Sequence, residues 1–167
     1  MNIKSVKSNH QGNEPDRVEI MKQFMEQTLS SSCKSRGQQM APYFAACGDD
    51  FTADFGTITV NPKLIQIGSG VYLGRYVYIP DIPLIVEDHV LIGPYVTFMA
   101  GDSDATTVLR EGCWLAAHVT LLQGVVIGAG STVAAGSFVR MDVPDHVLVG
   151  GNPASIIKYY DRNDNHE

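Results

Sequence analysis

The stretch Leu109 to Arg140, LREGCW LAAHVT LLQGVV IGAGST VAAGSF VR, decides the fold. Leu109, Leu115, Leu121, Ile127, Val133 and Val139 stand six residues apart, and four positions after each of the first five comes a small or β-branched residue: Cys113, Val119, Val125, Ser131 and Ser137. A helix repeats its apolar face roughly every 3.6 residues and a strand about every two. A recurrence of six fits neither, so the repeating unit is a short strand together with its turn. A unit that short cannot bury its own aliphatic side chain. Successive units must stack, each Leu, Ile or Val above its counterpart one coil below, which predicts an all-β solenoid with a ladder of aliphatic rungs as its core.

The frame extends backwards with two breaks. Ile67, Leu73 and Ile79 are six apart, with Val71 and Val77 at the small position, and Val86, Ile92 and Phe98 repeat the pattern with Val90 and Val96. One extra residue falls between Ile79 and Val86, in PDIPLI, and the interval from Phe98 to Leu109, across MAGDSDATTV, is one residue short of two units. The chain is expected to leave its regular path at these two places, and loops on a rigid scaffold are where binding and chemistry concentrate.

Outside the repeat, Met1 to Asn13 is a polar arm. Val18, Met21, Phe24, Met25 and Leu29 fall at helical spacing after Pro15 and Asp16, which predicts a helix whose apolar stripe covers the lower end of the solenoid. Residues 30–39 read as a polar connector, and Met40 to Val60 as an irregular first coil or cap. Pro153 stands where it can start a short helix through Ile156, Ile157 and Tyr160, after which DRNDNHE should fray. The expected organisation is arm, helix and cap over residues 1–60, solenoid over 61–150, and a C-terminal helix and tail over 151–167.

The 167 residues suit one domain with a real core. A formal net charge of -6 leaves no basic surplus to neutralise phosphates, which argues against a nucleic-acid partner. Cys33, Cys47 and Cys113 are odd in number and lack metal-ligand spacing, so free thiols in a reducing cytoplasm are expected. No run is apolar and long enough to span a membrane or act as a signal peptide.

VLIGPYVTF, CWLAAHVTLLQGVVIGAGSTVAAGSFV and DVPDHVLVGGNPASIIK resemble the hexapeptide-repeat acyltransferases, and most of all the maltose, galactoside and polysaccharide O-acetyltransferases; the likeness runs from about Ile67 to Lys158. The resemblance implies a left-handed parallel β-helix, against the usual crossover hand. It implies a cytoplasmic homotrimer serving polysaccharide biosynthesis, with acetyl-CoA bound in clefts between subunits. Carried over residue by residue, it implies that Trp114 lines the acetyl end of the cleft, that Ala117 and Ala135 meet the pantetheine arm, and that Arg140 lies where the cofactor passes toward its nucleotide. Pro153 then matches the proline of the closing NPA motif. Lys158 matches a phosphate-holding basic residue, a Lys where Arg is commoner, which keeps the charge and loses the bidentate fork. Each has a plainer alternative: Trp114 as a corner seal, the alanines as packing, Lys158 as a solvated side chain. Asp81, in the first frame break, matches an acidic position that holds acceptor hydroxyls, and reads equally as a turn residue.

The family's general base is a histidine in a projecting loop, suited to removing a hydroxyl proton because imidazole titrates near neutrality. The corresponding stretch here, VTFMAGDSDATTV, has none. Asp102 stands at or beside its place, though an aspartate of ordinary pKa, about 3.9, is a weak base at neutral pH. His118 in LAAHVTL and His89 in VEDHVLIG are the other candidates, each equally a turn residue. Three functions follow: acetyl transfer to a hydroxyl or amine of a saccharide or nucleotide-sugar, an amine needing less base strength; a catalytically inactive trimeric binding or assembly protein; and a zinc enzyme like the γ-class carbonic anhydrases. For the last, only His89 and His118 lie in the regular repeats, too few for a three-histidine site, and no metal site is assigned.

Overall fold

The computed structural model describes residues 33–102 and 104–160. Among these, fifteen strands of two to three residues wind through five coils, and two longer ones close the top. β1 (Ala46–Cys47), β4 (Ile65–Ile67), β7 (Leu84–Val86), β10 (Thr107–Leu109) and β13 (Val126–Ile127) stack in parallel as sheet I. Sheet II holds β2 (Thr52–Ala53), β5 (Tyr72–Leu73), β8 (Leu91–Ile92), β11 (Trp114–Leu115), β14 (Thr132–Val133), β16 (Val147–Gly151) and β17 (Ala154–Tyr159). Sheet III holds β3 (Ile58–Thr59), β6 (Tyr78–Ile79), β9 (Thr97–Met99), β12 (Thr120–Leu122) and β15 (Phe138–Val139). The result is a three-sided prism, the left-handed parallel β-helix expected.

Each hexad is one side of one coil. Leu109, Leu115, Leu121, Ile127, Val133 and Val139 all point inward and are buried, as are Ile67, Leu73, Ile79, Val86, Ile92 and Phe98 below them. The register is in phase: Leu115 pairs with Ile92 and Val133, and Leu121 with Phe98 and Val139. The small positions fill the corners. Where two of them carry hydroxyls, these are satisfied: Ser131 Oγ donates to Pro144 O (2.6 Å) and accepts from Val147 N, and Ser137 Oγ donates to Ala134 O (2.6 Å).

Three expectations are corrected. The polar connector at residues 30–39 is in fact largely helix, α1 (Cys33–Met40), and its buried residues are Arg36, Gly37 and Met40. It is held by charge and close approach where an apolar stripe is lacking: Arg36 Nη2 meets Asp54 Oδ1 at 3.0 Å and its Nε donates to Ala53 O. A Cβ on Gly37 would lie 2.1 Å from Phe51 O, so only glycine lets the helix sit this close. The first coil is regular, since β1, β2 and β3 pair in register with β4, β5 and β6. The helix expected after Pro153 is strand β17, running antiparallel to β16, because the open edge of β16 offers five residues backbone partners that an exposed single-turn helix would lack. The helix expected after Pro15, the N-terminal arm and the DRNDNHE tail lie outside the described residues. Among the described residues no helix is long and apolar enough to cross a membrane.

Candidate active site

The prism has three edges, and the candidate residues divide among them. Edge I/II turns in four residues, from a sheet I strand into a sheet II strand, and one position per turn has positive φ: Gly70, His89, Gly112, Gly130 and His146 among them. His89 (φ 58) packs over Gly70, where a Cβ would stand 2.6 Å from its Nδ1; His146 sits likewise over Gly130. Carboxylates cap the turn amides: Asp88 Oδ1 accepts from Ser69 N at 2.7 Å and Asp145 Oδ1 from Ala129 N at 2.8 Å. His89 therefore has a turn-packing role, and neither His118 nor Asp102 shares its edge.

Edge II/III carries an aromatic spine. Tyr76, Tyr95 and His118 occupy its positive-φ position in successive coils. Tyr76 and Tyr95 stack at 5.2 Å between centroids, and Tyr95 and His118 at 4.7 Å, within 2° of parallel. The φ > 0 conformation aims each side chain along the edge, so equivalent turns bring their rings face to face. The spine went unread in the sequence, although Tyr76 and Tyr95 share the 19-residue offset of the paired residues Tyr72 and Leu91. Trp114, 48% exposed, stands on sheet II beside this edge. Ala117 and Ala135 occupy successive turns of it, joined where Gly136 N donates to Ala117 O at 2.9 Å. Pro153 lies in the β16–β17 turn above them, after Gly151, whose N donates to Ser137 Oγ. Lys158, on β17 opposite Leu148, has its Nζ 5.0 Å from the centre of the Tyr160 ring. Trp114, Ala117, His118, Ala135 and Pro153 are thus brought together.

Edge III/I is irregular. Both frame breaks fall on it: the Pro80–Pro83 loop with Asp81, and residues 100–106 with Asp102 in the next coil. Arg140 follows β15 on the same edge, higher up. Ile82 is fully buried and its N–H bonds Pro80 O at 2.9 Å, which pins the first loop. Asn61 Nδ2 donates to Asp81 Oδ1 at 2.9 Å, and Gln123 holds the second loop, accepting from Gly101 N at 2.9 Å. Neither amide was singled out in the sequence, where single Asn and Gln residues carry no periodic signal.

Within one chain, sheet III separates Asp81, Asp102 and Arg140 from the group around Trp114 and His118. An open groove of about 360 Å³ on the upper part of sheet I, lined by Arg110, Val126, Asp142, Val143, Pro144 and Asp145, contains none of the candidates. Among the described residues no three His, Cys, Asp or Glu side chains converge as metal ligands. Among the described residues Cys47, Asp54, Tyr72, Arg75 and Cys113 have perturbed protonation, and Asp54 and Cys113 are the informative cases. Burial alone would raise Asp54, but the Phe55 amide and the Arg75 and Arg36 guanidiniums outweigh it and hold the carboxyl below its usual range. Burial, helped by the charge of Glu87, pushes the Cys113 thiol up to about 12, so it is neutral and unreactive.

Residues 106–140 match the family model described as bacterial transferase hexapeptide (six repeats). A galactoside O-acetyltransferase of Lactococcus lactis is 32% identical over 120 residues, 64% of this chain and 56% of the relative. A serine acetyltransferase of Arabidopsis thaliana is 40% identical over 101 residues, 60% of this chain but 27% of the relative. The chain thus spans little more than half, or less, of the length of these relatives. Among solved structures, a hexapeptide-repeat-containing acetyltransferase of Vibrio cholerae, complexed with acetyl coenzyme A, superposes with a TM-score of 0.71 at 28% identity over 86% of each chain. By its rungs, its turns and these matches, the chain carries the hexapeptide repeat and is similar to the hexapeptide-repeat acetyltransferases.

Proposed function

We propose that the protein transfers an acetyl group from acetyl-CoA to a hydroxyl or amine of a saccharide or nucleotide-sugar, working in the cytoplasm as a homotrimer. The observation that carries this reading is the line of Trp114, Ala117, Ala135 and Pro153 along edge II/III, where small residues leave room for a narrow pantetheine chain beside an exposed indole. The Vibrio cholerae neighbour bound to acetyl coenzyme A supports the cofactor, and the Lactococcus lactis relative supports a sugar acceptor. A second copy supplies what one chain lacks: edge III/I of a neighbour, with Asp81, Asp102 and Arg140, closes against edge II/III. Ile58, Tyr78 and Met99, exposed on sheet III between the two edges, provide apolar surface for that contact.

In this arrangement Trp114 borders the acetyl end, Ala117 and Ala135 flank the pantetheine arm, and Arg140 and Lys158 counter cofactor phosphates. Asp81 accepts hydrogen bonds from the acceptor. The acceptor's oxygen or nitrogen attacks the thioester carbonyl, its proton passes to a base, and CoA departs as the thiol. Asp102 is the base on the acceptor's edge and His118 the alternative on the cofactor's. An unprotonated amine attacks without either.

Thiol release from acetyl-CoA over a panel of hexoses and aminohexoses, with the mass of the assembly measured by light scattering, tests the proposal. Turnover by a trimer supports it. A trimer that binds acetyl-CoA and never turns over, unaltered by Asp102→Ala or His118→Ala, would establish an inert assembly module instead.

A further inference from the structure

On edges I/II and II/III, carboxylates are spent on the scaffold itself. Asp54, Glu87 and Asp88 each give an oxygen to a backbone N–H, of Phe55, Glu111 and Ser69 respectively. On edge III/I Asp142 does the same, accepting from Val126 N at 2.8 Å, but Asp81 is held by a side chain. Its Oδ1 accepts from the side-chain amide of Asn61, one coil below, at 2.9 Å. Asn61 is itself anchored, its carbonyl accepting from Leu64 N at 3.1 Å across the short 3-10 turn Pro62–Leu64. One coil above the residue 100–106 loop, Gln123 acts as a clasp. Its backbone N–H bonds Met99 O, its Oε1 accepts from Gly101 N at 2.9 Å, and its Nε2 donates to Ala105 O at 3.4 Å. One amide thus grips both stems of the loop that carries Asp102.

We infer that Asn61 and Gln123 are positioning residues that preset the acceptor side of the site, Asn61 by fixing the Asp81 carboxylate and Gln123 by fixing the loop of Asp102. This rests on the transferase reading. Exposed hydrogen bonds of this kind add little to folding, so their placement on the one irregular edge points to orientation. With Oδ1 engaged by the Asn61 amide, Oδ2 of Asp81 is directed to a single acceptor hydroxyl or ammonium, and preorganised groups lose less freedom on binding.

Steady-state kinetics of Asn61→Ala, Asn61→Asp, Gln123→Ala and Gln123→Glu, with acetyl-CoA and the fastest hexose or aminohexose of the panel, tests this. Asn61→Ala should raise acceptor KM by about tenfold, the effect of losing one hydrogen bond to a charged group, with acetyl-CoA KM and Tm unchanged. Asn61→Asp should be worse, since two carboxylates then face each other, and Asn61→Gln should recover part of the loss. Gln123→Glu keeps the acceptor for Gly101 but removes the donor to Ala105, so it should fall between wild type and Gln123→Ala. Unchanged acceptor KM in an active enzyme overturns the inference. So does a rise matched by equal changes in acetyl-CoA KM and Tm, which marks a purely structural role. Wild-type protein that transfers to no acceptor overturns the transferase reading, and this inference falls with it.

Discussion

Edges I/II and II/III turn in four residues at each of five coils, whereas edge III/I turns in five, four, seven, three and, counted to the isolated bridge of Val143 with Ile127, three. The regular edges repeat one solution: a buried corner residue and one position of positive φ, over which a ring from the next coil packs at Gly56, Gly70, Tyr76, Tyr95 and Gly130. Their uniformity keeps the rungs in phase, and any added residue would put an inward aliphatic out of register. Edge III/I absorbs every insertion, and it is there that Asp81, Asp102, Asn61 and Gln123 collect. The insertions and the acceptor-side candidates therefore share one edge, while the cofactor-side candidates Trp114, Ala117, His118 and Ala135 sit on or beside the regular edge II/III.

The largest expected effect breaks the regular part. Leu115→Ala removes a fully buried rung paired to Ile92 and Val133 and should cost about 2–5 kcal/mol by chemical denaturation. Trp114→Ala, next to it but outward, should leave stability within about 0.5 kcal/mol and lower transfer instead. Equal stability losses would refute the inside–outside division.

Next in size is the irregular edge. If Asp102 is the base, Asp102→Asn should lower kcat toward a hydroxyl about a hundredfold, close to 2.7 kcal/mol of barrier, while transfer to an amine falls far less. A hydroxyl rate that survives Asp102→Asn but not His118→Ala would move the base to edge II/III.

The lower end comes third. Arg36→Ala leaves the part-buried Asp54 short of a partner and should cost about 1–3 kcal/mol. The folded-state pKa of Asp54 is depressed, so its stabilising contribution is present above the ordinary value of 3.8 and is lost as pH falls through the folded value. Asp54→Asn should flatten the acid limb of a stability-versus-pH curve; an unchanged limb would show the carboxylate to be idle.

The smallest effect isolates packing from backbone on edge I/II. Gly70 and Gly112 both have φ +66, but a Cβ at Gly70 meets His89 Nδ1 at 2.6 Å while one at Gly112 meets nothing within 4 Å. Alanine at either bears the same left-handed strain, about 1 kcal/mol, so Gly70→Ala should be the worse by roughly another 1 kcal/mol of overpacking. Equal Tm values for the two variants would mean that the His89 ring simply swings aside.

Much of this was legible because one hexad is one side of the prism: the phase of Leu109 through Val139, carried back to Ile67, gave the rungs above the first coil, and the two frame breaks fell on edge III/I. What escaped has physical causes. Helix α1 is polar and buries Arg36 through an ion pair, so no apolar stripe announced it. Residues 154–159 carry apolar side chains at helical spacing yet bury almost none of them, leaving backbone pairing with β16 to decide the conformation. The division of candidates among three edges was hidden too, since hexad phase says which residues point inward but not which loops a neighbouring copy brings near. His89, Asp102 and His118 looked interchangeable in sequence and stand on three different edges.

Strand β17 has one more implication. A stack of parallel coils is a template: its last rung offers amides and carbonyls at the spacing another molecule's first rung would need, and head-to-tail fibres are the natural hazard of such a shape. By doubling back, β17 presents sheet II's outer rim in the opposite polarity, with Lys158 in the row. An incoming parallel strand finds a mismatched rim and a charge, so chains at high concentration lack a polymerisation seed on that side.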